Sequence, residues 1–75
     1  MKLYFEDSYG RTRLIGHCKN EEEVHNQINA FIDKCNHARP KDKKFKVYYI
    51  RSWKENDKTW YDVGSWSEFF FTTHN

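Results

Sequence analysis

The chain has 75 residues, enough for one domain and a small core. Thirteen Lys+Arg against eleven Asp+Glu leave a net charge of +2, too little for a protein that coats nucleic acid by charge alone. Three Trp, five Tyr and six Phe outnumber the two Leu, four Ile and three Val, so the core has to be built largely from rings, and such a composition argues against disorder.

Residues 2–6 alternate and read as a strand, with Leu3 and Phe5 on one face and Tyr4 and Glu6 on the other. Asp7-Ser8-Tyr9-Gly10 is a turn cluster. Residues 11–19 read as a second strand. Leu14 and Cys18 share one face, and Arg11, Arg13, Ile15 and His17 the other. Asn20 is a good N-cap, and Glu23 three residues later completes a capping-box pattern. Glu21, Glu22 and Glu23 sit where the helix dipole favours negative charge. Val24, Ile28, Phe31, Ile32 and Cys35 then recur at helical spacing, and Pro40 bounds a helix ending near His37.

Arg39, Lys41, Lys43 and Lys44 make a basic loop, with Lys46 just beyond. It is either a phosphate contact or, preferably, a solvated segment favoured by the helix C-terminus. Residues 45–53 have the strongest strand pattern, Glu55-Asn56-Asp57-Lys58 is a turn, and residues 59–63 form the returning strand. Residues 68–73 contain Phe69-Phe70-Phe71-Thr72-Thr73 and read as a strand. A short helix capped by Ser65 and Glu68 is the alternative. The expected fold is α+β, an antiparallel sheet of four or five strands in the order ββαββ(β), with one helix packed on one face and residues 1–75 forming a single domain.

The longest uncharged apolar runs, residues 47–50 and 69–71, fall far short of the ~20 residues of a membrane-spanning helix. Met1-Lys2-Leu3 runs on into Glu6-Asp7 without a signal-peptide pattern. The expected location is therefore the cytoplasm, with no membrane partner. Cys18 and Cys35 read as reduced, half-buried thiols, with one disulfide as the alternative.

No constellation for catalysis is visible. His17-Cys18 and Cys35-x-His37 lack zinc-ligand spacing, and Gly10, Gly16 and Gly64 form no phosphate loop. The expectation is a non-enzyme without metal or cofactor.

One helix covers only one side of such a sheet. Leu3, Phe5, Leu14, Cys18, Phe45, Val47, Tyr49, Tyr61 and Val63 are assigned to that side. Tyr4, Ile15, Tyr48, Ile50 and Trp60 then face outward, amid Arg11, Arg13 and Lys46, with Lys2, Lys54, Glu6 and Asp62 nearby. Rings on an uncovered face mark a contact surface unless the tail, with Trp66 and Phe70, folds over them. Rings with basic residues serve protein partners, and as a second choice single-stranded nucleic acid. A monomer or a homodimer fits equally.

The segment Lys58-Thr59-Trp60-Tyr61-Asp62-Val63-Gly64-Ser65-Trp66-Ser67-Glu68-Phe69-Phe70 resembles a pattern in small uncharacterised phage and prophage proteins of Gram-positive bacteria. The likeness includes the hairpin and the Glu-opened helix. It implies an intracellular early-type protein that modulates or inhibits a host or defence protein, and it carries over no catalytic residues.

Overall fold

The computed structural model describes residues 1–45, 50–65 and 67–74. The order of elements is β1 (Lys2–Glu6), β2 (Thr12–His17), α1 (Glu21–Ala38), a 3-10 turn (Lys41–Lys43), β3 (Arg51–Glu55), β4 (Lys58–Asp62) and β5 (Phe69–Thr73). All strand pairings are antiparallel, and the sheet order is β2-β1-β5-β4-β3. The helix lies on one face, giving the expected two-layer α+β domain.

Local chemistry sets the element ends. Asp7 Oδ1 accepts from the backbone N–H groups of Tyr9 and Arg11 at 2.9 and 3.0 Å, and Gly10 takes φ 79°. These backbone donors, that of Arg11 foremost, hold the Asp7 carboxyl below the usual range. Asn20 Oδ1 accepts from Glu23 N at 2.9 Å, while Glu23 Oε1 accepts from Lys19 N at 3.0 Å. The expected capping pattern therefore forms, its return bond reaching one residue further back. A two-residue turn joins β3 to β4, with Asn56 at φ 58°.

The core lies between helix and sheet. Leu3 and Phe5 from β1, Tyr61 from β4 and Phe70 from β5 meet Val24, Ile28 and Ile32 from α1. Rings dominate it: Phe5 lies 4.9 Å from Phe31, 5.2 Å from Phe70 and 6.3 Å from Phe45, centroid to centroid. Such pairs add about 0.5–1.5 kcal/mol each beyond simple burial. Cys18 and Val63 are buried here as expected, and both cysteines are free.

The chain leaving the helix is pinned twice. The Asn36 side chain accepts from Phe45 N at 2.8 Å and donates to Phe45 O at 3.2 Å, as a neighbouring strand would. Arg39 lies 4.3 Å over the Phe45 ring and forks onto Glu68 at 3.1 and 2.6 Å. Within the basic loop, Arg39 is thus a structural clamp. The Ser65 Oγ accepts from Glu68 N at 3.2 Å, so the capping contact forms, but a strand follows it.

Two expectations need correction, and one alternative falls away. Of the strand expected over 45–53, β3 begins at Arg51, Phe45 and Ile50 are not in strand, and Phe45 is a core residue. Residues 46–49, including Val47 and Tyr49, lie outside the described ones. Simple alternation puts Leu14 inward and Ile15 outward, yet Leu3 pairs with Gly16 and Tyr4 with Leu14, so Ile15 is an inserted residue. This β-bulge turns Ile15 onto the core and leaves Leu14 48% exposed on the far face. The described part of the tail does not fold over the outer face. It enters the sheet centrally as β5, with Phe70 inward; Trp66 lies outside the described residues.

Candidate binding face

Because β5 lies between β1 and β4, its middle outward residue has a ring on each side. Phe71 pairs with Tyr4 across one ladder and Trp60 across the other. The Tyr4 and Phe71 rings stack at 5.0 Å and 14°, and Phe71 and Trp60 meet at 4.9 Å. Trp60 and Trp53, partners across β4 and β3, each meet Phe69 at 6.4 Å nearly edge-on. The Lys58 ammonium sits 4.6 Å from the Phe71 ring and 5.7 Å from Trp60. A ring stripe thus crosses the sheet on the side away from the helix. At its centre Phe71, against Tyr4, Trp60 and the Lys58 ammonium, is only 4% exposed, while Trp53 at the edge is 40% exposed.

The charges on this face balance. By strand alternation Lys2, Lys58 and Arg51 share it with Glu6, Asp62 and Glu55. Arg51 Nη2 donates to Asp62 Oδ2 at 2.9 Å. The Gly64 N–H and, after it, this guanidinium hold the Asp62 carboxyl below its usual range.

Of the expected site residues, Tyr4 and Trp60 lie on this face and are joined through Phe71. Ile15 and Ile50 do not; both pack against the core. Ile15 is turned by the bulge, and Ile50 precedes outward Arg51 and so falls on the opposite side. Arg13 pairs with Phe5 and stands on the helix side, where with Ile15, Phe31 and Cys35 it lines a groove of about 480 Å³ between β2 and α1. Arg11 leaves the first turn, bound to Asp7 at 3.0 Å and lying 5.2 Å over Tyr9. Tyr48 and Lys46 lie outside the described residues.

Phe71, Phe69 and Trp53 were not expected here. Alternation around an inward Phe70 is the signal that places the two phenylalanines. No helix among the described residues is long and apolar enough to cross a membrane. Comparison with protein-family models, curated proteins and solved structures finds no match for this chain.

Proposed function

We propose that the chain is a protein-binding module whose contact surface is the ring stripe Tyr4–Phe71–Trp60–Trp53. In the setting implied by the phage-like segment, it modulates or inhibits a host or defence protein in the cytoplasm. One observation carries the choice: a ladder of rings occupies the sheet face that the helix leaves uncovered, amid balanced charge. Aromatic anchors with a polar rim are how protein interfaces concentrate their energy. Nucleic-acid binding is less favoured because Arg11 and Arg13, two of the three basic residues named for it, stand away from this stripe, and the third, Lys46, lies outside the described residues.

The test is affinity capture from a bacterial lysate with and without nuclease, comparing the parent with Trp60→Ala and Trp53→Ala. One defined protein, retained after nuclease and lost in both folded variants, is the expected result. Retention abolished by nuclease, with affinity falling steeply as salt rises, assigns the face to nucleic acid instead.

A further inference from the structure

Among the described residues the sheet has two edges, β2 and β3. Only the first is irregular: β2 carries the bulge, a feature that discourages further pairing, whereas β3 keeps unbroken register with β4. Every residue of β3 is exposed. We propose that β3 is a self-association edge, on which a second copy of this chain docks antiparallel with a two-fold axis through Trp53.

The strand Arg51-Ser52-Trp53-Lys54-Glu55 is complementary to itself in this register. Antiparallel pairing centred on Trp53 sets Arg51 opposite Glu55 of the second copy, and the axis repeats the pair on the other side. Shifting the register loses this symmetric match. Arg51, Trp53 and Glu55 share the outer face, so the two indoles meet between two ion pairs. Arg51 already donates Nη2 to Asp62, and its side chain is 68% exposed, within reach of a carboxylate on a facing strand.

Backbone geometry agrees. A two-residue turn closing on Glu55 and Lys58 directs the backbone groups of Glu55, Trp53 and Arg51 toward β4. The N–H and C=O groups of Ser52 and Lys54 then point to the open edge. In the proposed register Ser52 of one copy meets Lys54 of the other, so these groups satisfy each other. Trp53 falls at a non-hydrogen-bonded site, where facing side chains come closest. On the helix side Lys54 faces Ser52 and not another lysine. A five-residue edge is small. Interfaces below ~1,200 Å² belong to the weak class, so the dimer is concentration-dependent. It would carry the ring stripe across the axis from one copy to the other, independently of whether that stripe binds another protein.

Sedimentation velocity over a concentration series, with circular dichroism to confirm folding, tests this. The parent should pass reversibly from monomer to dimer. Ser52→Pro removes an edge-facing N–H without touching the ring face or the β4 ladder, and should weaken association by ~10-fold or more. Glu55→Arg, which sets like charges opposite each other, should do the same, as should Arg51→Glu. A mixture of the last two variants should associate again, because opposite charges then face at both ends. Should Arg51→Glu not fold, the Ser52→Pro and Glu55→Arg arms decide alone. A parent that stays monomeric up to ~1 mM overturns the proposal, since that is the weakest association class of interest. So does a dimer unaffected by Ser52→Pro, which would be joined by another surface.

Discussion

The hydroxyl of Tyr61, a fully buried side chain on β4, donates to the Glu21 carboxylate in the first turn of α1, 2.8 and 2.9 Å from its two oxygens. This bond ties the start of the helix to the sheet. Burial, and then the adjacent Glu21 carboxylate, push the phenol well above its ordinary value of 10.0. The buried Thr72 hydroxyl makes no hydrogen bond of good geometry among the described residues, but its closeness pulls the phenol weakly the other way. Because the folded pKa is raised, the unfolded phenol ionises first as pH rises. Its contribution is complete below about pH 10 and is lost progressively above it. Denaturant melts from pH 7 to 11 should show this decline. Tyr61→Phe should cost ~1 kcal/mol at pH 7 and show a smaller alkaline loss than the parent. Equal alkaline slopes in the two proteins would remove Tyr61 as the cause.

Arg39 links three elements: the helix end, Phe45 and the entry to β5. Its guanidinium and the Glu68 carboxylate are 27% and 16% exposed, sheltered enough for a forked pair to matter. Arg39→Ala should destabilise by ~1–3 kcal/mol, because it strips Phe45 and leaves a half-buried carboxylate. Arg39→Lys should recover only part of this, since an ammonium neither forks nor stacks as a plane. Urea unfolding of both variants measures the difference, and full recovery by lysine would mean that charge alone acts.

At Gly16 a side chain is opposed by space and not by backbone conformation. A Cβ there would come within 2.6 Å of Gln27 Oε1, while Gln27 Nε2 is held by the His17 carbonyl at 2.8 Å. Gly16→Ala should therefore cost at most ~1 kcal/mol, by displacing that amide from the His17 carbonyl. In a Gln27→Ala background the same change should cost clearly less. A double-mutant cycle by thermal or urea melts reads the coupling, and strict additivity would place the strain elsewhere.

The two thiols should differ in reactivity. Cys18 is 3% exposed, and burial, followed by Glu23, raises its pKa. Cys35 is half-buried and lines the groove between α1 and β2. A thiol reagent should label Cys35 in the native protein and Cys18 only on unfolding. Cys18→Ser and Cys35→Ser assign the two phases, and fast native labelling of Cys18 would contradict its burial.

Much of the local structure follows from the order of residues alone. The extent of β1, the capped helix with its apolar stripe, the turns at Asp7 and Asn56 and the extended Phe69–Thr73 segment are set by neighbours within a few positions. Such signals are visible because propensity, capping and alternation act at short range. Three matters were decided only by the assembled sheet. Alternation cannot foresee an inserted residue, so the bulge at Ile15 exchanged the faces of Leu14 and Ile15. Strand order is a long-range choice, and placing β5 between β1 and β4 made Phe71 the centre of the ring face. The clamps at Asn36 and Arg39 join residues 9 and 29 positions apart, distances over which side-chain pairing leaves no periodic trace in a sequence.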